Sequence, residues 1–351
     1  MYRPRVSFII VNYNGKKFLR HCLSSIFNLD YPVDKLEVIL VDNGSCDGSI
    51  DFIKTRYPKV KFILNPINNY CFANNLAIRD TSTEYVALVN NDVILDRNWL
   101  NAVLTVMIED NCIGAVTGKV LLYNKRINSA GHNQLDNFYW QDRGFWERDK
   151  GIYENIEEIN GLSHCACFYR VSAILDVGYL DESFNMYLED VDMSIRLKKN
   201  GWKIYYAPEA ICYHYLHGSA SKRKRQYFYE RNRLFLVAKH YPSQLKEAIF
   251  DNSLFPTVER LNKKFLFSIL KEIEYKFNHE LHLDSLRQDI ERFHKRYRKR
   301  IFFVRSIYNL LYYIQINRLI SFKLKKFINR FYRNWKNKII YTPELFPYPT
   351  G

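Results

Sequence analysis

Val6-Ser7-Phe8-Ile9-Ile10-Val11 runs straight into Asn12-Tyr13-Asn14-Gly15, a nearly unbroken apolar segment stopped by polar residues that favour turns. A strand buried on both faces reads this way, because neither side of its sheet meets water. The same pattern returns downstream. Leu36–Val41 ends in Asp42-Asn43-Gly44-Ser45-Cys46-Asp47-Gly48, Val60–Leu64 is a third apolar stretch, and Tyr85–Val89 ends in Asn90-Asn91-Asp92. Between these segments the apolar spacing lengthens to the helical period, near Phe18–Phe27, Ile50–Tyr57 and Phe72–Arg79. This alternation predicts an α/β fold, a Rossmann-like and largely parallel central sheet flanked by helices. Open sheets of this kind bind ligands beyond the carboxyl ends of their strands. Three polar clusters stand at those ends and are expected to converge on one crevice.

The 351 residues are 47% hydrophobic and 25% charged, which is enough apolar material for a core and argues against a disordered chain. One enlarged α/β domain over residues 1–242 and a mainly α-helical basic extension over residues 243–351 account for the length. The formal charge of +15 is concentrated near the end: Arg292 to Pro343 holds 15 Lys and Arg and no Asp or Glu, so the rest sums to about zero. Seven cysteines (Cys22, Cys46, Cys71, Cys112, Cys165, Cys167 and Cys212) are an odd number without paired C-x-x-C spacing. They argue against a zinc site and for reduced thiols in a cytoplasmic protein. The short apolar run before Asn12 does not read as a signal peptide. No window reaches the ~20 apolar residues that cross a bilayer, and the best candidate, Ile301 to Ile316, contains Arg305.

Taken together, VSFIIVNYNG (6–15), VILVDNGSCDGS (38–49), YVALVNNDV (85–93), FNMYLEDVDMSIRLKKNGWKIYYAPEA (184–210) and YERNRL (229–234) resemble the family 2 inverting glycosyltransferases of the GT-A fold. Within that family the chain looks most like the bacterial rhamnosyltransferase and galactofuranosyltransferase-like members. The likeness spans Arg5 to Pro242, with the motifs in the family's order and approximate spacing. It implies transfer of a sugar from a nucleotide diphosphate donor, dTDP- or UDP-linked, to a hydroxyl of a glycan or lipid-linked glycan.

The resemblance assigns roles residue by residue. Val11, Tyr13 and Asp42 hold the nucleotide base, Asp42 by accepting from an imide N–H, although Asp42 also suits a turn that caps the next helix. Asn43, Asn74 and Asn91 join that set, with Asn75 beside Asn74; the alternative for Asn74 and Asn75 is a polar helix start that meets no ligand. Asn69 replaces the usual turn glycine, since Asn tolerates a left-handed backbone. Asn90-Asn91-Asp92 stands where the family has its DxD motif, so Asp92 is implied to bind Mn2+ or Mg2+, with Asn90 as a weaker uncharged ligand. His214 completes the metal site from the opposite side, with His217 as its competitor. Asp190 is the general base and Glu189 orients the acceptor. Asp192 acts through the helix N-terminus, and the plain alternative for the whole cluster is an acidic first turn matched to the helix dipole. His164, in GLSHCAC (161–167), either touches the sugar or acceptor or packs in the core. Arg231 and Arg233 either meet phosphates of donor or lipid acceptor or form a solvated basic face.

Past Ser243 no motif is recognisable. Ile307, Leu310, Leu311, Ile314 and Leu319 recur at helical spacing amid Lys and Arg, which predicts an amphipathic helix. On an anionic membrane surface each nearby basic residue adds about 1 kcal/mol, with Tyr312, Tyr313, Phe322 and Trp335 at headgroup level. The alternative is packing on the catalytic domain or a second subunit. A cytoplasmic enzyme at the inner face of the cell membrane, working in cell-surface polysaccharide synthesis and binding no nucleic acid, is the resulting expectation. Its competitor is a non-catalytic module that keeps the fold and binds sugar nucleotide or polyanion. Asp42, Asp92, Asp190 and His214 occurring together favour the enzyme.

Overall fold

The computed structural model of the chain describes residues 3–215, 222–250, 263–277 and 284–293. These form two compact units that meet between Asn232 and Arg233, inside a helix.

The first unit begins with the expected alternation. β1 (Val6–Asn12), α1 (Lys16–Phe27), β2 (Leu36–Asp42), α2 (Ser49–Arg56), β3 (Lys61–Leu64), α3 (Tyr70–Asp80) and β4 (Tyr85–Asn90) follow one another. β1 lies between β2 and β4, parallel to both, and β3 is parallel to β2. β1, β2 and β4 are buried almost throughout, as their unbroken apolar runs require. α1 turns Leu19, Cys22, Leu23 and Ile26 into the core, positions three and four apart on one face.

Beyond β4 the sheet is mixed. β5 (Val93–Leu95), α4 (Trp99–Met107), β6 (Ile113–Leu122), β7 (Ile127–Ser129), β8 (His132–Gln134), β9 (Trp140–Asp142), β10 (Glu157–Glu158), β11 (Ala166–Arg170), α5 (Val171–Val177), α6 (Glu189–Lys199), β12 (Lys203–His214) and α7 (Lys222–His240) complete the unit up to Asn232. The main order is β10-β12-β6-β11-β4-β1-β2-β3, with β5 on β12 and β7 on β6. The expected parallel arrangement holds for β3-β2-β1-β4. β11 is antiparallel to both β4 and β6, so its first residues lie where β4 ends. β8 and β9 form a separate two-stranded hairpin. Trp99 is fully buried on α4 and packs against Phe8 of β1 and Phe168 of β11, joining the two halves of the core.

Two local features differ from the sequence reading. Asn69 is extended (φ −131°, ψ 117°) and caps α3 by accepting from Phe72 N–H at 3.0 Å, so no left-handed turn is needed there. β12 carries a bulge: its register to β6 passes from Ala207↔Gly118 to Ile211↔Lys119, four residues against one, with Pro208 inside the bulge.

In the second unit Arg233 is fully buried and donates to the Ala248 carbonyl at 3.0 Å, capping α8 (Leu245–Ile249). α9 (Lys263–Phe277) buries Leu266, Ile269, Leu270 and Ile273 as one stripe. Residues 284–293 are also helical. The amphipathic stretch from Ile307 to Leu319, and most of the basic run ending at Pro343, lie outside the described residues. Among the described residues no helix is long and apolar enough to cross a membrane.

The bulge is possible because residue 118 is glycine: a Cβ there would come within 1.8 Å of the Ala210 carbonyl oxygen. Gly118→Ala is therefore expected to lower stability by at least the ~1–3 kcal/mol typical of overpacking, read as a lower denaturant midpoint.

Candidate active site

The level ends of β1, β2 and β4 are tied by one side chain. Asn12, fully buried, donates from Nδ2 to Asp42 Oδ2 at 2.8 Å and to Ser45 Oγ at 3.1 Å, while its Oδ1 accepts from Asn91 Nδ2 at 2.7 Å. The parallel register Asn12↔Asp42 and Val11↔Asn90 brings these residues level. Gly15 leaves room for this bond, since a Cβ there would sit 2.1 Å from Asn91 Nδ2.

Asp42 is fully buried, and its Oδ1 accepts from Gly44 N–H at 3.1 Å and Ser45 N–H at 2.7 Å. The carboxylate thus builds its own turn, leaving one acceptor position on Oδ2 beyond the Asn12 bond. Val11 is half-buried and Tyr13 exposed, both at the same edge. Asn43 is buried against Asn65 and the Asn69 carbonyl. Asn74 and Asn75, expected to face the nucleotide, are buried inside the helix packing. Asn74 Nδ2 donates to the Tyr70 carbonyl, and Asn75 binds Leu180 and Glu182. An amide enclosed in this way satisfies backbone and loop groups instead of lining an open crevice.

Asp92 follows β4, and Val93 pairs with His214 across the antiparallel β5–β12 contact. That register sets His214 Nε2 3.4 Å from Asp92 Oδ1. His214 Nδ1 lies 2.6 Å from Asn128 Oδ1. A proton on Nδ1 serves that bond and leaves the Nε2 lone pair facing a carboxylate. Two acceptors facing each other fit a divalent cation between them. They are two protein ligands only: among the described residues no group of three or more His, Cys, Asp and Glu is placed to hold an ion. Asn90, expected as a third ligand, instead accepts from the Tyr70 hydroxyl at 3.2 Å through Oδ1. His217 lies outside the described residues.

β11 carries the site across the sheet. Asn90 N–H donates to the Cys165 carbonyl at 3.0 Å, so His164 sits beside the end of β4. His164 is buried, 2.7 Å from the Tyr169 hydroxyl through Nε2 and 3.4 Å from Glu189 Oε1 through Nδ1. Its backbone N–H reaches Asp190 Oδ2 at 3.4 Å. Burial lowers the His164 pKa to about 4, which keeps the ring neutral. Glu189 and Asp190 open α6. Burial raises Glu189 to about 7, against the favourable pull of its own backbone N–H and of His132. Burial also raises Asp190, opposed by the charge of His132. The Tyr187 phenol is raised by burial, opposed by Arg225, and raised further by both Glu189 and Asp92, so it lies within reach of acids from both ends of the network.

Three buried polar atoms cluster here with no hydrogen-bond partner among the described residues: His132 Nδ1, His164 Nδ1 and Glu189 Oε2. Buried polar atoms are nearly always satisfied, and a group of exceptions around an acidic pair fits a polar ligand. Asp192 plays another part. It is fully buried and pairs with Arg196 at 2.9 Å, and Arg196 also holds the carbonyls of Val177, Gly178 and Tyr179. Ser194, one turn on from Asp190, donates to the Asp190 carbonyl at 2.7 Å.

The turn that presents α6 is strained: Asn185, Tyr187 and Leu188 all have left-handed φ, between 63° and 69°. Each such non-glycine residue costs about 1–2 kcal/mol. Asn232 holds the turn, with Nδ2 2.7–2.9 Å from the carbonyls of Phe184, Met186 and Tyr187. Arg231, expected in the sugar or acceptor pocket, is buried and donates to the Ser183 carbonyl at 2.9 Å. It serves the same turn. Arg233 is enclosed in the second unit and cannot line a pocket. Sequence reasoning missed Asn12, Tyr70, His132, Asp142 and Asn232. Only Asn12 and Asn232 carried a signal, by standing inside quoted motifs.

Residues 7–178 match the model of glycosyl transferase family 2, and residues 161–254 match that of glycosyl transferase family group 2. The chain is 28% identical over 211 residues to the poly-beta-1,6-N-acetyl-D-glucosamine synthase of Staphylococcus epidermidis, covering 59% of this chain and 49% of that protein. It thus spans about half the length of the curated relatives it matches. The mannosyltransferase PcManGT from Pyrobaculum calidifontis, solved with GDP-Man and Mn2+, superposes with a TM-score of 0.50 at 17% identity, covering 85% of this chain and 83% of that one. GalNAc-T7, solved with UDP, GalNAc and Mn2+, gives a TM-score of 0.57 at 14% identity, covering 81% and 57%. Identities this low speak for the fold alone. With that fold and the family match in agreement, the chain carries a glycosyl transferase family 2 domain built on the GT-A fold.

Proposed function

We propose that this chain is an inverting glycosyltransferase that moves a sugar from a UDP- or dTDP-linked donor to a hydroxyl of a glycan or lipid-linked glycan. The reading rests chiefly on one observation: an acidic pair, Glu189 buried and Asp190 half-buried, with unpartnered polar atoms beside it, is linked through Asn90, Tyr70 and His164 to the Asp92–His214 pair. Donor and acceptor would meet between the two. The acceptor oxygen attacks the anomeric carbon, its proton passes to the Asp190 carboxylate, and the bond to the nucleoside diphosphate breaks with its electron pair leaving on the phosphate oxygen. A single displacement inverts the configuration.

Asp92 and His214 would hold a divalent cation, Mn2+ or Mg2+, which would supply positive charge against the leaving diphosphate. Val11, Tyr13 and the remaining acceptor position of Asp42 receive the base at the β1–β2 edge, with Asn91 fixed above them by Asn12. Rhamnose or galactofuranose as the transferred sugar follows from the motif resemblance, and polysaccharide synthesis at the inner face of the cell membrane follows from the resemblance and the basic run after Arg292. A non-catalytic sugar-nucleotide binder is the competing reading, and it has no use for an ionisable Asp190.

Three outcomes test these assignments. Asp190→Asn should cut transfer by roughly 10²–10⁴-fold, the usual contribution of a general base, while calorimetry shows UDP and dTDP binding nearly unchanged. Unaltered transfer would assign the base elsewhere. Chelation with EDTA should abolish nucleoside diphosphate release and added Mn2+ should restore it in the wild type, with Asp92→Ala unresponsive. Turnover that survives chelation would remove the cation from the scheme. Glu189 titrates at about 7 when folded against 4.5 when free, so it favours the fold below 4.5 and loses that contribution as pH rises through 7. Glu189→Gln should match the wild type in acid and exceed it by about 3 kcal/mol in denaturant unfolding above neutrality.

A further inference from the structure

His132 lies outside every motif that led to the site, yet it faces the proposed base. It opens β8, and the register of the hairpin sets it directly across from Asp142 of β9. Its Nε2 is 3.0 Å from Asp142 Oδ1 and 4.0 Å from Asp190 Oδ2. The backbone is anchored at the same place. His132 N–H donates to the Gly161 carbonyl at 2.7 Å, and the next residue, Leu162, donates to Ser194 Oγ, which in turn binds the Asp190 carbonyl. His132 is buried, and Gly161 lies so close that a Cβ there would come within 3.3 Å of both His132 Cβ and the Trp140 ring.

We propose that His132, held by Asp142, is a positioning residue whose positive charge keeps Asp190 ionised and aimed at the acceptor hydroxyl; this rests on the glycosyl transfer proposed above. A hairpin needs only the His132–Asp142 pair. The second carboxylate on the same nitrogen, and an Nδ1 left buried without a partner, go beyond that need. The groups that bear on the ring are Asp142 from its own hairpin, Asp190 and Glu189 from α6, and the neutral His164 from the segment before β11. Burial alone would lower the His132 pKa, but Asp190 and Asp142 outweigh it and raise it to about 9. The ring is therefore cationic at neutral pH, and an opposite charge 4–6 Å away lowers a carboxyl by roughly 1–3 units. Asp190 is raised by burial, and His132 limits the rise. Proton transfer to Asp190 then occurs beside a fixed cation and needs no movement of the hairpin.

The test compares wild type, His132→Gln and His132→Lys in the full chain. The Asp190 carboxyl is titrated by carbon-detected NMR, and nucleoside diphosphate release from UDP- and dTDP-sugars is followed against pH. In H132Q the Asp190 titration and the acid limb of the rate profile should both move up by roughly 1–3 units. In H132K, less similar in shape but charged, both should return toward the wild-type position. A purely structural histidine would give the reverse ranking, with amplitude lost and the limb unmoved. An unshifted Asp190 titration in H132Q overturns the inference. A shifted titration in a chain that transfers no sugar upholds the coupling and overturns the glycosyltransferase reading instead.

Discussion

The site depends on three parallel strands ending at the same level, with a buried amide joining them. Each backbone pairing of β1 with β2 and β4 fixes the height at which the chain leaves the sheet, and Asn12 turns that height into a defined surface by binding Asp42, Ser45 and Asn91 at once. Such an amide is stabilising only when all its partners are present, because a buried unsatisfied donor costs about 1–3 kcal/mol. The crevice is thus coupled to the register: a slip of one residue would separate all three loops and reverse the faces of the strands. Gly15 belongs to the same constraint, since a side chain there would fill the space of the Asn12–Asn91 bond.

The second half of the site is brought in by antiparallel geometry. A strand antiparallel to β4 must begin where β4 ends, so β11 delivers His164 and Cys165 beside Asn90, and the helix whose first turn holds Glu189 and Asp190 packs against that same start. The acidic pair pays for its position in two ways. Burial pushes both carboxyls toward the neutral form, and the preceding turn stores left-handed strain in Asn185, Tyr187 and Leu188. Strain and desolvation at one turn persist only where surrounding structure holds them. Asn232 and Arg231 hold the strain through carbonyls of the turn, and His132 opposes the loss of charge.

Most of the architecture around the ends of β1, β2 and β4 was legible because it follows from hydrophobic pattern. Apolar runs ending in Asn and Asp announce both a buried strand and a polar strand end, so β1, β2, β4, Asp92 and the acidic start of α6 could be located from the chain alone. Side-chain direction was not legible. Asn74 and Asn75 share a helix start with Tyr70, whose hydroxyl reaches Asn90, and only packing shows that both amides turn inward to Tyr70, Leu180 and Glu182. Arg231 and Arg233 stand two apart on α7 and serve different units, one holding the α6 turn and the other capping α8. Asp42 likewise uses two of its acceptor positions on its own turn, a local use that its place at a strand end conceals. His132 and Asp142 escaped notice for another reason: they are ten positions apart, and strands three residues long leave no periodicity to read.

The bulge in β12 shows how a backbone irregularity decides the chemistry of a side chain. From Ile204 to Ala207 the strand follows β6 residue by residue, and from Ile211 it does so again, with three residues of β12 unmatched between Gly118 and Lys119. An odd insertion exchanges the faces of every later residue relative to an unbroken strand. Removing it would place His214 three positions further along β6 and on the opposite face, away from Val93 and therefore from Asp92. The pairing of His214 with Asp92 is thus set by residues 208–210 and by the absence of a side chain at Gly118. A histidine was recognisable at the end of this strand from its motif, but its 3.4 Å approach to Asp92 is a consequence of strand register.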